Sequence, residues 1–186
     1  MWIPFTFVAL SFQPVTAMLR RVYEEGLARR EREYGAADPR TAQAARDLGL
    51  FLERVGDAAG ARRALTRTVA IDEKALGPAA PQTLEDAAAL AAVSPAAEAR
   101  PLLERAAESP DPSVAGPALS TLAGMRKAAG DRAAAVALYR RALEKAVAAD
   151  GRGSPIVGLL LRALAPLVGA KEAAALEAQY GAAKIQ

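Results

Sequence analysis

Two stretches of this chain repeat one connection 42 residues apart: Tyr34-Gly35-Ala36-Ala37-Asp38-Pro39-Arg40-Thr41 and Leu76-Gly77-Pro78-Ala79-Ala80-Pro81-Gln82-Thr83. The residues before them agree at the same offset, Tyr23 with Leu65 and Leu27 with Val69. A fixed period of this kind constrains the fold more than composition does. A unit that recurs along a chain buries its apolar face on its neighbouring copies, so stacking follows from repetition. Further copies appear with shifted spacing. Pro101–Ala106 follows Arg63–Thr68 at 38, with four residues missing before it, and Leu138–Ala142 follows at 36. Gly169–Ala173 repeats Gly130–Ala134. The unit is a helix pair, present four or five times.

Helix is the only regular structure the residues favour. Alanine supplies 48 of the 186 residues, half of the 52% apolar content, and no alternating β-branched run occurs. Alanine, arginine, leucine and glutamate are strong helix formers. Breakers at Gly35–Pro39, Gly56-Asp57, Gly77–Pro81, Ser94-Pro95, Ser109–Pro112, Gly130-Asp131, Gly151–Pro155 and Gly169 cut the chain into helix-sized segments. Glycine stops and proline starts are the expected asymmetry of helix ends. The connections are short, so successive helices run antiparallel. With so much alanine the core is thin and depends on close approach of small side chains.

These residues resemble tetratricopeptide repeats, in the 42-residue variety of kinesin light chains and their many bacterial relatives. The Leu-Gly-x-x-x-Pro-x-Thr connection stands at Leu76–Thr83 and nearly so at Tyr34–Thr41. The repeat's small positions match Gly49, Ala61 and Thr68 in one unit and Ala123, Ala135 and Ala142 in another. Its larger positions match Leu48 and Leu65, then Leu122 and Tyr139. The resemblance covers residues 18–182, strongly at 40–81 and weakly at 155–182. It implies an all-α, right-handed α-solenoid of antiparallel helix pairs, a single domain over 18–186. Gly49 is expected to pack on Ala61 where the two helices of a pair cross. The first helix of the unit at 82–108 is expected to be one turn shorter than that at 40–55.

Chemistry is tightly bounded. Histidine, cysteine and asparagine are absent, which removes thiolate and imidazole metal sites, Ser-His and Cys-His dyads, and disulfides. The adjacent acids Glu24-Glu25 and Glu85-Asp86 point about 100° apart on a helix, so they are not expected to converge as an acid–base pair. Glu25 with Arg29 and Arg29 with Glu33 have the spacing of surface ion pairs. The basic cluster Arg20, Arg21, Arg29, Arg30 and Arg32 is interleaved with glutamate, unlike a nucleic-acid surface. Gly151-Arg152-Gly153-Ser154 lacks the spacing of a phosphate-binding loop. The net charge of +3 reflects a small excess of 24 basic over 21 acidic residues. No cofactor, metal or small-molecule substrate is expected, and no enzymatic activity.

Residues 1–17 form an apolar segment, Trp2 to Phe12 followed by Val15-Thr16-Ala17. Three readings stay open: a signal-like leader, a degenerate first helix containing Phe7–Leu10, or a misplaced gene start. A leader wants a basic start, which is missing, and the run is too short to span a bilayer. Location in the cell stays open with it.

The remaining function is binding. The resemblance implies that the first helices of each pair line a concave face holding a peptide or a partner helix. On the repeat positions that face carries Gln43, Arg46, Asp47, Leu50 and Arg54, then Glu85 with Ala88 and Ala89, then Ser120, Thr121 and Lys127. The family's paired asparagines are replaced there by Arg46-Asp47, Ala88-Ala89, Ser120-Thr121 and Leu159-Leu160. Arg46 and Arg54 suggest an acidic or carboxylate-terminated partner, because guanidinium forks suit carboxylates. A regulatory repeat fragment of a larger signalling or enzyme system is the alternative, with nucleic-acid binding behind it.

Overall fold

The computed structural model describes residues 13–181, and among them it contains helices and no strand. In chain order these are α1 (Gln13–Tyr34), α2 (Pro39–Arg54), α3 (Ala58–Ala75), α4 (Pro81–Ala92), α5 (Ala96–Ala107), α6 (Pro112–Ala128), α7 (Arg132–Asp150), α8 (Pro155–Leu164) and α9 (Ala170–Tyr180). A 3₁₀ turn, Ala165–Leu167, follows α8. None of the described helices is long and apolar enough to cross a membrane. The chain divides into two compact units, one ending at Pro95 and the other starting at Ala96. Most of the apolar amino-terminal segment lies outside the described residues. Gln13 to Ala17, its last part, already belong to α1.

The expected punctuation is present, and local chemistry explains it. Gly35 and Gly77 have φ of 91° and 96°, a left-handed conformation open to glycine at no steric cost. Their carbonyls are then free to accept from the Thr41 and Thr83 hydroxyls, at 2.8 and 2.9 Å. The Gly-x-x-x-Pro-x-Thr connection is thus a lock. Glycine turns the chain, proline opens the next helix and threonine ties the two together. Asp38 caps α2 by accepting from the Arg40 N–H at 2.9 Å, and Asp57 caps α3 through the Gly60 N–H at 2.8 Å. In the second unit Asp111, Asp131 and Ser154 cap α6, α7 and α8 in the same way. Each such cap contributes about 1 kcal/mol.

The first unit packs around Leu48, Phe51, Leu52 and Ala61, with Tyr23, Leu27, Ala64 and Val93 against them. Tyr23 stacks on Phe51 with ring centroids 4.9 Å apart, joining α1 to α2. Gly49 sits at the α2–α3 crossing. A Cβ there would meet Leu65 Cγ at 2.7 Å and the Ala61 carbonyl oxygen at 3.5 Å, so Leu65 is its closer neighbour. The shortened helix is as the missing residues require: α4 has 12 residues against 16 in α2, a difference of about one turn.

The second unit repeats this pattern on its own terms. Leu119, Leu122, Ala123, Ala135, Tyr139, Ala142 and Leu143 are buried between α6 and α7. Gly116 faces the α7 backbone, with the Ala142 oxygen and the Ala146 nitrogen 3.9 Å from where its Cβ would stand. Two interior prolines, Pro101 in α5 and Pro117 in α6, sit within helices without ending them. At the far end α9 buries none of its residues.

Candidate functional site

The inner-helix positions behave differently in the two units. In the first, Gln43 and Asp47 stand one turn apart on α2, and the Gln43 amide donates to Asp47 at 2.9 Å. Leu50 is half-buried, and exposed Arg54 turns back to donate from Nε to the Leu50 carbonyl at 3.3 Å. Arg46 is the exception. Its side chain is only 16% exposed, and it reaches across to α4. There it pairs with Glu85, and its Nε lies 2.8 Å from Asp86 Oδ1, out of line for a hydrogen bond. The adjacent acids Glu85 and Asp86 therefore converge after all. They do so on a third group, because the long arginine side chain reaches both flanks of one helix turn. A grip by Arg46 on an external carboxylate would have to displace these partners.

Asp86 is fully buried, and beside it stands Asp72 of α3, also buried. The Asp86 carboxyl is pushed up to about 7, by burial first and then by the Asp72 carboxyl, against the opposite pull of Gln82 and Arg46. A carboxyl buried against another carboxyl resists ionising, so Asp86 tends to keep its proton. Gln82 completes the cluster, donating to Asp86 Oδ2 at 3.1 Å. Three helices of the first unit are thus joined by charge: α2 through Arg46, α3 through Asp72, α4 through Gln82, Glu85 and Asp86.

The second unit has a cleft at the corresponding place. It encloses about 380 Å³ between α6, the end of α7 and α8. Ser120 and Thr121 line it from α6, beside Gly116 and Pro117, and Ala146, Ala149 and Asp150 line it from α7. Ile156, Leu159 and Leu160 close it from α8, with Ile156 48% and Leu159 58% exposed. Thr121 returns its hydroxyl to the Pro117 carbonyl at 3.0 Å. Lys127 is exposed near the end of α6 and does not line the cleft.

Register relates the two places. Gly49 and Ala123 are equivalent small positions, 74 residues apart, and the same offset carries Arg46 to Ser120 and Asp72 to Ala146. It carries Gln82 to Ile156, Glu85 to Leu159 and Asp86 to Leu160. Every member of the ionic cluster therefore has its counterpart in the lining of the cleft. The position of Asp72 was the least visible of these in the sequence, sitting in the polar run Asp72-Glu73-Lys74. The available signal was Ala146, a small apolar residue where a solvated helix face would carry a polar one.

A second concavity, about 260 Å³, lies between α1 and α2 and includes Tyr23, Leu27, Arg30, Arg40, Gln43 and Asp47 in its lining. Two of its three arginines, Arg30 and Arg40, are already engaged, and Arg29 also lines it. Arg40 pairs with Asp38 at 2.8 Å and lies 3.6 Å from the Tyr34 ring centroid, while Arg30 stands over the same ring at 5.6 Å. Arg40 holds the Asp38 carboxyl down at about 2, through its side chain and then its backbone N–H. Elsewhere on α1 the surface pairing runs from Arg21 to Glu25 at 2.7 Å. Arg20 and Glu31 are taken by Asp57 and Arg67 of the same unit.

No protein-family model matches the chain, and no curated protein matches it. Solved structures do. The chain is similar to the nearly identical TPR-like repeats of a kinesin light chain from Podosopora anserina, at 21% identity and a TM-score of 0.66 over 93% of this chain and 90% of that one. A single-substitution variant of that protein matches equally, at 21% identity and 0.67 over 93% and 89%. The likeness is one of fold: a solenoid of antiparallel helix pairs of the tetratricopeptide type.

Proposed function

We propose that this chain is a protein-interaction scaffold that holds a peptide or partner helix against its inner helices, anchored in the cleft between α6 and α8. The role is binding, without catalysis. One observation carries the reading. Where the first unit fills the space between successive inner helices with an ion cluster, the second leaves it open and apolar, with Ile156 and Leu159 facing solvent. Exposed aliphatic side chains beside a concave floor of small residues are the ordinary makings of a peptide anchor. An acidic or carboxylate-terminated partner has less to hold, since Arg46 already faces Glu85 and Asp86. Of the arginines expected on that face, Arg54 is the one left exposed.

The test is affinity capture with the full chain, run in parallel with Leu159→Asp, Ile156→Asp and the first-unit control Leu76→Asp. Partners retained by the wild type and the control, and lost from both cleft variants, support the reading. Equal capture by all four proteins removes the cleft as the site.

A further inference from the structure

The cleft between α6 and α8 is lined by side-chain charge of one sign. Its single charged lining residue is Asp150, the last residue of α7. That residue stands where a helix ends, so the unpaired carbonyls of the last turn add partial negative charge to it. No basic side chain occupies the last turn of α7 to offset them. The start of α6 lies in the same lining through Pro112 and Ser113, and its cap Asp111 precedes it, hydrogen-bonded to the Ser113 N–H and hydroxyl at 2.8 and 2.7 Å. The rest of the polar lining is neutral hydroxyl, Ser113, Ser120 and Thr121.

The nearby cations are not part of the lining. Lys145 packs its Cβ near Gly116 without entering the lining, and Arg162 stands beside Gly158, off the face that Ile156, Leu159 and Leu160 present. Arg152 follows in the connection and is also outside the lining. A ligand seated here meets an aliphatic wall along α8 and a negative end at the close of α7.

We propose that the cleft recognises a partner segment carrying an aliphatic or aromatic anchor residue with a lysine or arginine close to it in sequence. The anchor sits against Leu159 and Ile156, and the cation lies against Asp150 and the α7 carbonyls. This rests on the reading of the cleft as the binding site and adds the chemistry of what it takes. Two features of the lining fit it. The small residues Gly116, Ser120 and Ala146 leave depth for a bulky side chain. The hydroxyls along α6 can meet the backbone of an extended or helical segment without selecting a charge.

The probe is a library of random 12-residue peptides displayed on phage, selected on the full chain and on two variants, Leu159→Asp and Asp150→Lys. Both substitutions are at exposed positions, and circular dichroism verifies that each variant keeps its helices. The expected outcome is a consensus with an apolar residue and a basic residue within one helical turn. Synthetic peptides of that consensus should bind Leu159→Asp at least about tenfold more weakly, the loss of one aliphatic contact. They should bind Asp150→Lys about two- to fivefold more weakly, as a partly solvated ion pair does. Selection on Asp150→Lys should shift the consensus towards acidic neighbours. A Leu159-dependent consensus with acidic or uncharged neighbours overturns this proposal and leaves the cleft as the binding site. An enriched set indifferent to Leu159, or no enrichment at all, overturns both.

Discussion

Two inner-helix pairs built on one register fill the same space in opposite ways. Between α2 and α4 the space holds Arg46, Asp72, Gln82, Glu85 and Asp86; between α6 and α8 it holds Ser120, Ala146, Ile156, Leu159 and Leu160 around an open cleft. What stays constant is the small residue at the crossing within each pair, Gly49 beneath Leu65 in the first unit and buried Ala123 at the equivalent position in the second. Small residues at the crossing set how closely two helices approach, and the fold depends on that distance. The space between successive pairs is under no such demand. It can be closed by charge, which ties three helices together, or left apolar for something else to close.

The largest effect should come from opening the charged version. Arg46→Ala leaves Asp86 buried without the cation beside it, and removing one partner of a buried ion pair costs about 3–5 kcal/mol. Urea unfolding at pH 8, above the value near 7 of the folded Asp86 carboxyl, measures it. Ser120→Ala, the equivalent change in the second unit, should cost next to nothing. Similar losses for the two would erase the distinction between the units.

The pH dependence of stability should separate the units next. The folded Asp86 carboxyl stands near 7 against an ordinary value of 3.8, so below about pH 4 both folded and unfolded chains hold its proton. Between about 4 and about 7 the unfolded chain releases the proton and the folded one keeps it, so stability falls as pH rises, and above that window the curve flattens. The shift sets a ceiling of roughly 4 kcal/mol on the fall. The capping carboxylates act in the opposite sense. Asp38, Asp57 and Asp111 are held below their ordinary value by hydrogen bonds from the Arg40 side chain, the Gly60 N–H and the Ser113 hydroxyl respectively, so their contribution is present above about pH 4 and fades as pH drops. Stability should therefore peak in mild acid. Asp86→Asn should abolish the fall towards neutral pH and leave the acid limb in place. A fall that survives Asp86→Asn would show that the cluster is not its source.

The helix boundaries were legible because what sets them is local. Gly35, Gly77, Pro39 and Pro81 act within a few residues, and Thr41 and Thr83 reach only to a carbonyl six residues back. The shortened α4 followed from counting residues. The ionic cluster was not legible, because Arg46 lies 39 residues from Glu85, Asp72 lies on a different helix from Asp86, and the members are spread over three helices. Reading each inner helix separately makes Arg46 a groove residue and Glu85-Asp86 a divergent pair. The comparison of Asp72 with Ala146 and of Asp86 with Leu160 points inward in both cases, and only alignment of one unit on the other brings it out.

A full exchange should have the third effect, of opposite sign. Replacing the cluster by its counterpart, Arg46→Ser with Asp72→Ala, Gln82→Ile, Glu85→Leu and Asp86→Leu, removes the desolvation cost of the charges along with their attraction. Buried ion clusters replaced by apolar side chains are often neutral or more stable by about 1–4 kcal/mol. Thermal unfolding of the five-residue variant tests this. If the exchanged unit also gains affinity for the peptides the second unit binds, the cleft is a property of the register and not of its place in the chain. A variant that unfolds more easily than Arg46→Ala would mean that the charges specify how α2, α3 and α4 meet.

The smallest effect concerns what the two units share. A methyl group at Gly49 would stand 2.7 Å from Leu65 Cγ, and Leu65 is fully buried, so it has little room to yield. Gly49→Ala gains about 1 kcal/mol of helix propensity and meets an overpacking cost of about 1–3 kcal/mol. The expected net is a loss of about 1 kcal/mol, unusual for a glycine replaced within a helix. The second unit has alanine at this place and tyrosine at the position equivalent to Leu65, and the tyrosine side chain is planar at Cγ where leucine is tetrahedral. Gly49→Ala with Leu65→Tyr should therefore recover part of the loss, and urea midpoints of the two single variants and the double variant measure the coupling. Additive losses would mean that the crossings in the two units are set by something other than the fit of these two side chains.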